Sequence, residues 1–196
     1  MKKIILLAFT VCAIYSCRKK ESITIKQIIS DQIVTITPNL KKIDAKDSVS
    51  ISIPIELEIK TYDSSLESID LYYVINQKNL MQISEFEMFI HNDKNNPTNN
   101  LKSYLSVEKP LRIILREKNH LISKNYAREL LKKYNINQSL EDFKLSDTIK
   151  LTSYNQFRKE NSFILKDLRK VSDTIIITTR KKGEEIYKPT KIKINW

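Results

Sequence analysis

Hydrophobic residues recur at every second position along much of this chain. The clearest run is 49–59, where Val49, Ile51, Ile53, Ile55, Leu57 and Ile59 alternate with Ser50, Ser52, Pro54, Glu56 and Glu58. A period of two sends alternate side chains to opposite faces, the mark of a half-buried strand with a wet polar side. Pro54 cannot donate to a ladder, so the pattern predicts an edge strand or a bulge there. Apolar, β-branched runs at 23–29, 32–37, 69–76, 80–90 and 111–117 continue the series, with turn chemistry at Asp63-Ser64-Ser65 and at 76–79. Residues 91–100 are polar, asparagine-rich and broken by Pro97, which predicts a long loop.

The period changes after Lys118. Tyr126, Leu130, Leu131 and Tyr134 fall on one helical face, opposite Arg128, Lys132 and Lys133, and Ser123 is placed to cap that helix. Residues 147–152 read as a short strand. Residues 155–170 read as a second helix, with Phe157, Asn161, Ile164 and Leu168 at helical spacing and Arg169 and Lys170 in the last turn, where positive charge suits the helix dipole. Runs at 173–180 and 185–194 predict a terminal hairpin, turned where Gly183 supplies a positive φ. The fold class expected is mainly β with an α+β C-terminal part: an antiparallel β-sandwich, an immunoglobulin-like form of it included, followed by two helices and the hairpin. The expected organisation is a sandwich-like region at 23–118 and an α+β region at 119–196, packed on the first as one domain.

The first 22 residues follow neither period. Lys2 and Lys3 precede an apolar stretch at 4–16, which is closed by Ile14-Tyr15-Ser16-Cys17 and followed by Arg18-Lys19-Lys20. A basic start and a dozen apolar residues match a signal peptide, and the stretch is shorter than the roughly 20 residues of a spanning helix. The segment resembles the lipobox of bacterial lipoproteins: an aliphatic residue three before the cysteine, a small residue just before it, then the cysteine. The resemblance covers residues 1–17. It implies removal of residues 1–16, lipid attachment at Cys17, a tether at 17–22, and export. The expected address is the outer membrane facing the periplasm, with the cell surface as the other option.

Removal of 1–16 takes Lys2, Lys3 and Cys12 but no acidic residue. The formal charge then falls from +11 to +9, and Cys17 is the one remaining cysteine. A disulfide, a cysteine metal ligand and a cysteine nucleophile are thereby excluded from the mature fold. Seven of the 34 basic residues are arginine and the rest lysine. Lysine is a solvated point charge rather than a base-reading fork, so nucleic acid is not an expected partner. The basic surface fits an acidic glycan, an anionic lipid or an acidic protein. The single glycine, Gly183, leaves no standard P-loop, dinucleotide fingerprint or hydrolase nucleophile elbow.

Candidate chemistry is sparse. His91 and His120 lack ligands at helical spacing and read as exposed loop residues. Asp93, Asn95 and Asn96 lack the glycine and glutamate of a calcium loop. Glu56 with Glu58, and Glu85 with Glu87, place carboxylates on one side of a strand, an arrangement usable for acid–base hydrolysis but also that of a solvated sheet face. The adjacent Tyr72 and Tyr73 would suit a binding surface if exposed, whereas Trp196 is expected to finish the core. No catalytic, cofactor or metal residue is assigned. The expected function is a lipid-anchored envelope protein with a non-catalytic structural or binding role. An inhibitor or immunity-type protein and an envelope-polymer hydrolase are the alternatives.

Overall fold

The structure, a computed structural model, describes residues 22–39, 47–141, 143–144, 146–185 and 187–196. Cys17, the signal segment and most of the tether lie outside these residues. Among the described residues the fold is mainly antiparallel β, with thirteen strands in three sheets and three α-helices. The first sheet is built from β1 (Ile23–Ile28), β4 (Pro54–Thr61), β9 (Leu111–Glu117), β7 (Phe86–Ile90) and β8 (Asp93–Pro97), in that spatial order. The second runs β10 (Leu121–Ser123), β3 (Ser48–Ser52), β2 (Ile33–Pro38) and β11 (Ile149–Ser153). The third runs β13 (Lys188–Lys193), β12 (Asp173–Lys181), β5 (Leu66–Ile75) and β6 (Lys78–Asn79). Strands from 119–196 therefore complete two of the three sheets.

The long alternating run is two strands, not one. β3 belongs to the second sheet and β4 to the first, and the chain crosses between them at Ile53, which is fully buried. Pro54 opens β4 rather than marking an edge. β4 lies between β1 and β9, and its pairing with β1 extends only to Glu56, so the missing N–H falls outside that ladder. Ser50, Ser52 and Glu56 are buried, because both faces of the run are covered.

The core lies between the inner face of the first sheet and the third sheet. Ile55, Leu57, Ile59, Ile113, Leu115 and Phe86 meet Ile69, Tyr73, Ile175 and Ile177. Each such side chain, fully buried, stabilises the fold by about 1.5–3 kcal/mol. A second cluster joins Ile36, Val49 and Ile149 of the second sheet to Ala127 and Leu131 of helix α1 (Lys124–Lys133). Ser123 caps α1 by accepting from the Tyr126 N–H at 3.2 Å, and Asn135, at φ 54°, ends it.

Three local expectations change. The second helix is broken into α2 (Tyr154–Glu160) and α3 (Ser162–Leu168). Asn161 sits at the break, and its amide donates to the Phe157 carbonyl at 3.0 Å and to the Tyr134 hydroxyl at 2.7 Å. A short polar side chain that satisfies the backbone this way competes with the helix. The predicted loop at 91–100 contains β8, which adds a polar edge strand to β7. The predicted strand at 80–90 begins only at Phe86. Residues 81–85 form a loop in which Ile83 has φ 74°, a conformation rare for a β-branched residue.

Candidate functional site

The carboxylates singled out in the sequence are each engaged by a named group. Glu56 is buried, accepts from Ser30 Oγ at 2.9 Å and lies 2.9 Å from His91 Nδ1. The carboxylate thus stands between serine and histidine, whereas a hydrolytic triad needs the histidine in the middle. Glu58 meets Arg112 at 3.3 Å, and Glu87 meets Lys118 at 2.7 Å. Glu85 is buried and accepts from the Met81 N–H at 2.8 Å, bracing the 81–85 loop. The wet-face reading therefore fails for Glu56 and Glu85. Asp93 accepts from the Asn96 amide at 2.9 Å, as a loop-stabilising contact. Among the described residues there is no group of three or more histidine, cysteine or carboxylate side chains that could hold a metal, and no helix is long and apolar enough to cross a membrane.

His120 is not an exposed loop residue. Its ring lies edge-on to Trp196, with centroids 5.4 Å apart, and Nε2 approaches Glu117 Oε2 at 3.1 Å. Burial pulls its pKa down from 6.5 to about 4. On the other side of Trp196, the indole N–H donates to Asp173 Oδ2 at 3.0 Å. Burial raises the Asp173 pKa, and the indole hydrogen bond opposes that rise. Of the adjacent tyrosines, Tyr72 is exposed and Tyr73 is buried, edge-on to Phe86. Burial pushes the Tyr73 hydroxyl well above the ordinary tyrosine range, and the charges of Asp173 and Glu117 push it further. Glu117, His120, Trp196, Asp173 and Tyr73 thus form a polar seam inside an apolar core.

Trp196 also forms a wall of a surface cleft of about 350 Å³, together with Gln27, Ile28, Ile29, Tyr154, Arg158, Arg169 and Asn195. Gln27 and Asn195 close one side by a reciprocal pair, Gln27 Nε2 donating to the Asn195 carbonyl at 3.0 Å and the Asn195 N–H donating to Gln27 Oε1 at 2.8 Å. Tyr154 begins α2 behind its Ser153 cap. Arg158, one turn later, places its guanidinium 6.0 Å from the Tyr154 ring centroid. Arg169 follows α3 and donates Nε–H to the Trp196 main-chain oxygen at 2.8 Å. Burial raises the Tyr154 pKa, and the charges of Arg158 and Arg169 pull against that rise.

The other described arginines have different roles. Arg112, Arg128 and Arg180 pair with Glu58, Glu141 and Glu67, and Arg116 lies over the Phe89 ring. Among the described residues no aspartate or glutamate pairs with Arg158 or Arg169. Sequence reasoning missed this site because its parts come from β1, α2, the end of α3 and the last residues of the chain. The Tyr154–Arg158 spacing was the one local signal, and Arg169 read as a helix-dipole partner. No family model, curated protein or solved structure matches this chain.

Proposed function

We propose that this chain is a lipid-anchored cell-envelope protein whose head binds an acidic glycan, and that its role is binding rather than catalysis. The lipobox-like end at Cys17 supports the anchor. The observation that carries the binding reading is the convergence of Arg158 and Arg169 on one cleft beside Tyr154: among the described residues neither pairs with an aspartate or glutamate, and Arg169 is anchored by its Nε on the Trp196 main-chain oxygen. Arginine forks suit carboxylates, and a cleft of this size admits a group about as large as one sugar unit. Replacing Cys17 with serine is expected to release the protein from the membrane fraction and to abolish labelling by radioactive palmitate. Titration of the intact chain with a uronate oligosaccharide tests the cleft. Arg158→Gln and Arg169→Gln are each expected to weaken binding about tenfold, the equivalent of one charge-assisted contact. Equal affinity in both variants, or no binding by the parent chain, refutes the glycan reading.

The inhibitor or immunity-type reading rests on a different observation. The 81–85 loop exposes Met81 and Ile83 on a backbone held by the Ile83 N–H to the Phe86 carbonyl at 2.7 Å, Gln82 Nε2 to the Thr98 carbonyl at 2.8 Å and Lys118 Nζ to the Ile83 carbonyl at 3.2 Å. A braced, strained loop that presents apolar side chains is suited to a pocket on another protein.

A further inference from the structure

Ser22 is the first described residue, and its carbonyl accepts from the Tyr62 N–H at 2.9 Å. That fixes which end of the first sheet the tether enters. Three turns meet at the same end: 62–65 between β4 and β5, 102–110 before β9, and 182–184 between β12 and β13. They are tied together by Thr61 Oγ1 donating to the Ser106 carbonyl at 2.8 Å, by the Lys182 N–H donating to the Ser65 carbonyl at 2.9 Å, and by the Lys181–Asp63 ion pair.

This end has an unusual surface. Tyr62, Tyr104 and Val107 are 41%, 42% and 48% exposed, and Lys60, Lys102, Lys109 and Lys182 are exposed around them. Among the described residues, Asp63, Glu184 and Glu67 are held by Lys181, Lys188 and Arg180, and Glu108 and Glu185 are the other carboxylates of these turns. Tyrosines with an apolar body and a polar tip, set among lysines with long aliphatic stems, match the composition of a membrane–water interface.

The cleft lies at the other end. Gln27, Ile28 and Ile29 close β1 at the end remote from Ser22. The 81–85 loop is also remote, because it joins β7 where that strand pairs with the far end of β9. An eight-residue strand such as β4 spans about 25 Å. The five residues from Cys17 to Ser22 reach about 17 Å when fully extended.

We infer that the turns at 62–65, 102–110 and 182–184 form a docking face for the anionic bilayer that carries the anchor, so that the head stands with its cleft pointing away from the lipid. This rests on the lipid-anchor reading and not on the identity of the cleft's ligand. Lipid anchorage alone leaves the head free to tumble. The tyrosine–lysine face gives it one orientation, by interfacial insertion and attraction to anionic headgroups.

The test uses the full lipidated chain reconstituted in vesicles of phosphatidylethanolamine and phosphatidylglycerol containing brominated lipid. A tryptophan at Val107→Trp is expected to lose most of its emission to bromine quenching. One at Met81→Trp, and the native Trp196, are expected to keep theirs. Lys102→Glu with Lys109→Glu in the Val107→Trp background is expected to restore emission while the protein stays with the vesicles. If the protein stays bound and Val107→Trp is unquenched, or Met81→Trp is quenched as strongly, the docking face is refuted and the anchor stands. If the parent chain does not stay with the vesicles, or Cys17→Ser stays as well as the parent does, the anchor reading fails first and the orientation proposal falls with it.

Discussion

Replacing Trp196 with phenylalanine separates the two jobs of that side chain. Phenylalanine keeps an aromatic ring beside His120 but removes the indole N–H that reaches Asp173 Oδ2 at 3.0 Å. Asp173 is almost fully buried, and among the described residues its Oδ1 has no hydrogen-bond partner. A hydrogen bond to a buried charge is worth about 1.5–3 kcal/mol, and losing part of the indole ring costs roughly 1 kcal/mol more. The expected penalty at pH 7 is about 3 kcal/mol, a fall in Tm of about 6–12 °C for a chain of this size.

The pH dependence gives the sharper test. Burial raises the Asp173 pKa above its ordinary 3.8, so the folded chain holds this proton more tightly than the unfolded one. Ionisation of Asp173 therefore removes stability as pH rises from 3.8 through the folded pKa. Loss of the indole hydrogen bond raises the folded pKa of Asp173 further, so the Trp196→Phe penalty is expected in full only above the variant's folded pKa and to shrink on acidification through it and the parent's, where the carboxyl is neutral in both. Asp173→Asn is expected to be nearly neutral by itself and to recover about 1–2 kcal/mol of the Trp196→Phe penalty when combined with it. Urea titrations followed by circular dichroism, at several pH values, measure all four chains. A penalty below 0.5 kcal/mol at pH 7, or one that is the same at every pH, or no coupling to Asp173→Asn, refutes the account.

Other substitutions test the remaining structure. Ile83→Gly is expected to raise stability by about 0.5–1 kcal/mol, because glycine accepts a positive φ and the exposed isoleucine buries little; a lower Tm would contradict this. Gly183→Ala is expected to cost about 1 kcal/mol through backbone strain alone, since nothing lies within 4 Å of the added carbon. Phe157→Ala, at a fully buried position between α2 and the core, is expected to cost about 3–5 kcal/mol in urea. His120 titrates at about 4 in the folded chain against 6.5, so the stability it confers is complete above 6.5 and lost as pH falls toward 4. Its proton resonances, followed by NMR, are expected to titrate near 4, and a midpoint above 6.5 would show that Glu117 outweighs burial.

Much of the fold is legible in the sequence because it rests on local signals. The alternation at 111–117, the Ser123 cap and the single glycine at 183 each specify a strand, a helix start and a turn through their immediate neighbours. What local pattern cannot convey is which face another segment will cover. The glutamates at 56 and 58 look alike in sequence, yet Glu56 is buried against Ser30 and His91 while Glu58 stays half-exposed beside Arg112. The break between β3 and β4 is equally silent, because Ile53 keeps the alternation intact as the chain passes from one sheet to the next. The cleft was invisible for the same reason: Gln27 and Asn195 stand 168 positions apart and meet only through the completed fold.

The pairing of β5 with β12 has a consequence for how this chain folds. β5 ends at Ile75, and its main partner begins at Asp173, so the third sheet cannot assemble until nearly the whole chain is present. An unfinished chain exposes an unpaired β5 and half a core. Folding dominated by such distant pairings is slow, on the order of milliseconds to seconds. The third sheet can therefore close only after β12 has been made, well after the partners of the first sheet are available.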